Sequence, residues 1–288
     1  MTTATATMRP FPAVPGARPT NSRPAPQGTL PLTTGATVKF GPPSRSQGHR
    51  VVLYGPGGIG KTTLAAQAPG PVVFVDLDDS LGRLGLDAQA VQGVETWQGL
   101  REALHAPGWD GVRTIVIDSA TKAEELAIAH TLASVPHEKG HYVKSVEDYG
   151  YGKGYGFVFD SFLPLLADLD AHCRQGRNVV LICHDCATTC PNPMGEDWLR
   201  WEPRLQSPNS GKASIRLRVR EWADHLLWYG YDVAVKDGKG MGSGTRTIYP
   251  TELPHCMAKS RTLQEPVPGP GPEFWEGLLN GRAVASAA

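Results

Sequence analysis

Four continuous apolar runs mark the chain: Arg50–Tyr54 (RVVLY), Pro71–Asp76 (PVVFVD), Val112–Asp118 (VRTIVID) and Asn178–Cys183 (NVVLIC). Runs of this length without polar alternation predict strands of a parallel sheet covered on both faces. Between them the apolar positions recur at helical spacing. Glu95–His105, Ala120–Ala133 and Phe157–Arg174 are predicted helices, the last with a broad face of Phe157, Phe159, Phe162, Leu163, Leu165, Leu166 and Leu169. Ser214–Glu221 opens a further helix. Leu226–Val235 and Thr245–Pro250 then read as strands around the turn Asp237-Gly238-Lys239-Gly240. Ala36–Phe40 reads as a short leading strand. Alternation of strand and helix predicts a doubly wound α/β sheet with a C-terminal antiparallel extension, its ligands beyond the carboxyl ends of the strands.

The first strand runs into Gly55-Pro56-Gly57-Gly58-Ile59-Gly60-Lys61-Thr62, followed by Thr63 and a predicted helix. This fits the phosphate-loop pattern at every fixed position. Glycines let backbone N–H groups converge on phosphate oxygens, and the helix N-terminus faces them. Residues 55–63 are therefore the expected ATP-binding segment, with Lys61 on the β- and γ-phosphates and Thr62 on Mg²⁺.

Phosphoryl transfer also needs a metal-holding carboxylate and a positioned water. Thr114–Asp118 has the Walker B form, apolar residues ending in an acid, so Asp118 is the second expected Mg²⁺ residue. Ser119 follows it, so the water-activating carboxylate must come from elsewhere. The second strand ends Val75-Asp76-Leu77-Asp78-Asp79, where alternation puts Asp76 and Asp78 on one side. Asp78 is the expected base, with Asp79 and Asp76 as substitutes. Its short side chain predicts slow turnover. His184, at the end of the fourth strand, is the expected γ-phosphate sensor. Lys259 and Arg261 form a cationic pair just after the last strand signal.

Composition adds three constraints. The 288 residues suffice for one large domain, and no apolar run approaches the roughly 18 residues of a membrane span. Five cysteines fit a reducing cytosol better than a disulfide framework. Cys183, Cys186 and Cys190, with His184 and the distant His255-Cys256, do not form a clean paired zinc motif, and Cys183, ending a buried strand, reads as a small hydrophobe. The net charge is zero, yet residues 1–50 hold six cations and no acid. Residues 1–37, rich in Pro, Ala and Thr, read as a solvated basic tail, 38–262 as the core, and 263–288 as a loosely packed tail. Neither a secretory signal nor a membrane segment is evident, so the expected location is cytoplasmic.

The signatures GPGGIGKT (55–62), VDLDDSL (75–81), IVIDSAT (115–121), YGYGKGYG (149–156), LICH (181–184), REWADHLLW (220–228) and AKSR (258–261) occur together and in order. In this the chain resembles the phage RecA-like nucleotide-binding proteins, which include ATP-dependent single-strand annealing proteins. The resemblance implies a RecA-like P-loop fold and a homo-oligomer, ring or filament, that hydrolyses ATP on single-stranded DNA in recombination or annealing. It further implies that Lys259 and Arg261 reach the γ-phosphate of a neighbouring subunit. Two segments are the implied DNA contacts: His141–Tyr155, with tyrosines among glycine and lysine, and 185–213, with Trp198, Arg200, Trp201, Arg204 and Lys212, followed by Arg216, Arg218 and Arg220. Asp78 and Ser260 depart from the family's usual Glu and Asn. The rival readings are a nucleotide-controlled DNA-binding or loader module with little turnover and, less favoured, a P-loop kinase for a small metabolite.

Overall fold

The computed structural model describes residue 41 and residues 47–209, 211–236 and 239–281. Ser44–Ala288 form one compact unit. The expected strand Ala36–Phe40 and two residues of the turn, Asp237 and Gly238, lie outside the described residues.

Among the described residues the central sheet has eight strands. In chain order they are β1 (Arg50–Tyr54), β2 (Val72–Asp76), β3 (Gln89–Ala90), β4 (Thr114–Asp118), β5 (Asn178–Cys183), β8 (His225–Lys236), β9 (Lys239–Tyr249) and β10 (Val267–Pro268). Across the sheet they run β10-β9-β8-β1-β5-β4-β2-β3. Every pairing from β3 to β8 is parallel, and β9 and β10 add an antiparallel edge. The expected α/β architecture with an antiparallel extension is thus the observed one. β5 inserts between β1 and β4, with Tyr54 beside Cys183 and Asp118 beside Ile182. The phosphate loop, the Walker B acid and His184 therefore leave the same edge of the sheet.

Each run is apolar throughout because alternate residues pack on opposite faces. Val52, Tyr54, Val75, Ile115, Ile117, Val179, Leu181 and Leu226 meet the helices α3 (Trp97–His105), α4 (Ala120–Ser134), α5 (Lys153–Arg174) and α6 (Ile215–Trp222). Val51, Leu53, Phe74, Val116, Val180, Ile182 and Leu227 meet α1 (Lys61–Ala66), the short α2 (Leu81–Leu84) and α7 (Glu273–Asn280).

Two expectations are corrected. Residues 263–281, expected as part of a loosely packed tail, are firmly docked: α7 buries Phe274, Trp275 and Leu278, and the Trp275 indole N–H donates to Leu64 O at 2.8 Å. Proline and glycine punctuation hid a short amphipathic helix. The segment expected as an open loop, 185–213, contains an antiparallel ribbon, β6 (Asp185–Cys190) with β7 (Trp198–Pro203). Its residues alternate between half-buried and exposed, a weak signal beside the buried strands. Among the described residues no helix is long and apolar enough to cross a membrane.

Candidate nucleotide site

The phosphate loop joins β1 to α1 and lies open at the carboxyl end of the sheet. Gly55 passes so close to β8 that a Cβ there would stand 2.0 Å from the Tyr229 carbonyl oxygen. Gly60 has φ of 105°, a left-handed conformation that favours glycine, and caps α1. Its missing Cβ leaves room for Arg246 of β9, whose guanidinium donates to Ile59 O at 2.7 Å.

Lys61 is buried, and its ammonium donates to Gly55 O at 2.7 Å and Pro56 O at 2.9 Å. Burial lowers its pKa, while Asp185, Asp118 and Asp78 pull the other way. Thr62 Oγ1 donates to Asp118 Oδ2 at 2.7 Å. Burial pushes the Asp118 carboxyl up to about 6 against that bond, and Asp78 and Asp76 add repulsion. Ser119 caps α4 by accepting from Lys122 N at 3.2 Å.

A cavity of about 450 Å³ gathers Gly57, Gly58, Gly60, Lys61, Thr62 and Thr63 with Asp78, Asp118 and His184. Three strand ends therefore converge on the phosphate loop. Asp78 and His184 face each other, His184 Nε2 lying 3.8 Å from Asp78 Oδ2. That neighbour holds the Asp78 carboxyl below the usual carboxylate range. Asp76 does not share this place. β2 ends at Asp76, so strand alternation does not carry to Asp78. Asp76 instead accepts from Ser80 N at 3.0 Å and Leu81 N at 2.9 Å, fastening the start of α2. Asp79 lines the cavity with φ of 52°.

The expected pair Lys259 and Arg261 lies outside this cavity. Lys259 pairs by backbone with Leu226 of β8, and its ammonium donates to Glu221 O at 3.3 Å. Arg261 donates to Asp224 Oδ1 at 2.8 Å, and Asp224 Oδ2 accepts from Arg50 N at the start of β1. Both cations thus sit at the amino end of β1, about 13 Å of strand from the loop at its other end.

Of the implied DNA contacts, several are committed elsewhere. Tyr149 is buried and donates to Val135 O at 2.6 Å, Tyr155 donates to Glu147 at 2.8 Å, and Lys153 pairs with Glu138. Lys153 and Tyr155 also belong to α5, which starts four residues earlier than expected because Gly152 caps it. Arg216 and Arg200 pair with Glu202, Arg200 and Arg220 with Glu252, and Arg218 with Glu221. Tyr142 and Tyr151 remain exposed. Cys183 lies at the buried end of β5, and among the described residues no three His, Cys, Asp or Glu side chains come together as metal ligands.

Sequence reasoning missed Arg246, and also Ser80, Arg83 and Leu84, which line the cavity from α2. Arg246 carried no local signal, since its contact spans 187 positions. Leu84 was legible only as an apolar residue left exposed by a helix too short to bury it.

A family profile described as an AAA domain matches residues 47–262. No curated protein matches the sequence. Among solved structures, the chain is similar to a KaiC-like protein of the hyperthermophilic archaeon Pyrococcus horikoshii OT3, with 17% identity over 78% of this chain and 88% of that one and a TM-score of 0.42. Since the matched span takes in the phosphate loop, Asp118 and every strand from β1 to β9, the chain belongs to this AAA-domain family of P-loop nucleotide-binding ATPase domains.

Proposed function

We propose that this protein hydrolyses ATP, and that the hydrogen bond between Thr62 and Asp118 marks the magnesium position. The donor set fits that ion: a hydroxyl and a carboxylate oxygen 2.7 Å apart beside the phosphate loop. When bound, magnesium neutralises phosphate charge. The loop amides and Lys61 grip the β- and γ-phosphates, and Thr63 continues the amide row on α1. Arg83 and Leu84, on the same cavity wall, offer a surface to the nucleoside. Asp78, kept ionised beside His184, orients the attacking water, and His184 reads the γ-phosphate. Lys259 and Arg261 complete the site of an adjoining copy in a homo-oligomer.

Single-stranded DNA is the proposed effector, and it engages Tyr142 and Tyr151. Tyr151 is fully exposed with φ of 50°, an unfavourable conformation for a bulky residue of the kind that clusters at functional sites. ATP hydrolysis measured with and without oligothymidylate tests both levels. Lys61→Ala should lower turnover about 100-fold or more. Tyr151→Ala should weaken DNA binding by about 1–3 kcal/mol and leave DNA-free turnover unchanged. ATP binding without turnover, insensitive to Asp78→Ala, would instead support the loader reading. DNA-insensitive phosphate transfer to a small acceptor would support the kinase.

A further inference from the structure

A second cavity, of about 410 Å³, touches the phosphate loop at Pro56 and opens between β6–β7 and the β8–β9 hairpin. We propose that it is a cation cage, taking a guanidinium or alkylammonium head group. Its walls are Trp228, Tyr249 and His255, with Trp201 and Tyr231 half-exposed at the rim and Asp185 as the charged member.

The three inner rings pack against one another as one continuous aromatic wall. Trp228 and Tyr249 lie 5.1 Å apart at a 38° tilt, and His255 stands edge-on to both at 5.3 Å. Gly230 makes this possible: a Cβ there would come within 2.3 Å of the Trp228 ring, so glycine lets the indole lie along its own strand. Aromatic faces carry negative potential and attract organic cations. Asp185 adds a carboxyl that burial pushes up, and among the described residues Lys61, His184 and Arg204 act on it only from beyond ion-pair distance.

Three further observations favour a cation over a nucleobase. Among the described residues no lysine or arginine lines the cavity. The arginines of the ribbon and α6, Arg200, Arg216 and Arg220, are already paired with Glu202 and Glu252, so the rim offers a polyanion little. The Trp228 indole N–H is buried without a partner and sealed from the cavity, so it cannot read a base edge. Asp185 follows the proposed γ-phosphate sensor directly, and of the charged groups acting on Lys61 it acts most strongly. A cation seated here therefore changes the field at the phosphate loop.

Calorimetry on the full chain tests this at constant ionic strength. The probes are tetramethylammonium chloride, N-acetyl-arginine amide, and an octapeptide with one central arginine, against sodium chloride and the Ala counterpart of the peptide. Saturable binding of at least one cation is expected. It should weaken about fivefold in Asp185→Asn and at least as much in Trp201→Ala. Trp201 is half-exposed and its backbone carbonyl keeps the Tyr54 hydroxyl bond, so the fold survives, as its melting curve should show. Gly230→Ala, which displaces Trp228, should weaken binding too. Binding of the small cations identifies a free small organic cation as ligand. Binding of the peptide alone identifies an arginine of a protein partner. No saturation beyond sodium chloride overturns the proposal. So does binding indifferent to Asp185→Asn and Trp201→Ala, or Trp201-dependent capture of oligothymidylate with no cation competition.

Discussion

Asp118 is buried, yet it must be an anion to hold magnesium. Its carboxyl sits at about 6 in the folded chain, above the value near 4 of a free aspartate. Between those two values the folded state binds more protons than the unfolded one, so stability falls as pH rises through that window and is not regained above it. The native site is thus less stable at neutral pH than the same site with a neutral side chain. Asp118→Asn keeps an acceptor for Thr62 and removes the buried charge. It should stabilise the nucleotide-free protein by about 2 kcal/mol at pH 7.5 and by almost nothing at pH 4, read from urea unfolding at the two pH values. It should also abolish the extra stabilisation that Mg²⁺ and ATP confer on the wild type. Equal unfolding midpoints at pH 7.5 would show that Asp118 is not held in a desolvated place. Asp76 gives the contrasting lesson. It looked equivalent to Asp78 by strand alternation, but the chain leaves the strand at Asp76, and two backbone N–H groups of α2 claim its carboxylate.

The elements differ in how far the sequence announced them. The parallel strands were legible because they are buried on both faces, which leaves uninterrupted apolar runs such as Thr114–Asp118. The loop-to-helix switch at Gly60 was legible because phosphate binding dictates residue types at fixed spacing. The ribbon β6–β7 was not legible: it is half-solvated, and what fixes it lies far away in sequence. The start of α4 does much of that fixing. Thr121 Oγ1 accepts from His184 N at 3.1 Å, and Arg204 N donates to His184 O at 2.9 Å. Glu124 accepts from Gln206 N at 2.6 Å, and burial pushes its carboxyl up to about 7. One helical turn after Asp118 thus holds both the proposed phosphate sensor and the chain leaving the ribbon. Glu124→Ala should uncover the Gln206 N–H and cost about 1–3 kcal/mol, with faster amide exchange over residues 204–213. Glu124→Gln, which keeps the acceptor without the charge, should leave exchange there unchanged. Similar exchange in Ala and Gln variants would remove this link between α4 and the ribbon.

At the scale of the whole molecule, the nucleotide cavity and the Lys259–Arg261 pair occupy opposite ends of β1. Within one chain they cannot meet across about 13 Å of buried strand. Head-to-tail stacking of copies is the arrangement that brings one end against the other, and such heterologous contacts build rings or filaments. Arg261 is suited to exchange partners in the proposed assembly, because its own side chain is largely exposed and the mostly buried Asp224 is also held by the Arg50 guanidinium. Asp224 keeps its bond from Arg50 N when Arg261 departs. The double variant Lys259→Ala, Arg261→Ala should therefore fold and bind ATP as the wild type does, while turnover falls on the order of 10³-fold. Lys61→Ala is defective in the complementary way: its phosphate grip is lost but its Lys259 and Arg261 are intact. Mixed, the two inactive proteins should regain turnover, because some copies with a sound phosphate loop then adjoin copies with sound cations. Activity in the mixture no greater than the sum of its parts would leave Lys259 and Arg261 as a surface pair. Turnover that is undiminished in the double variant would place the stabilising cation within the chain itself, with Arg246 beside the phosphate loop as the residue to change next.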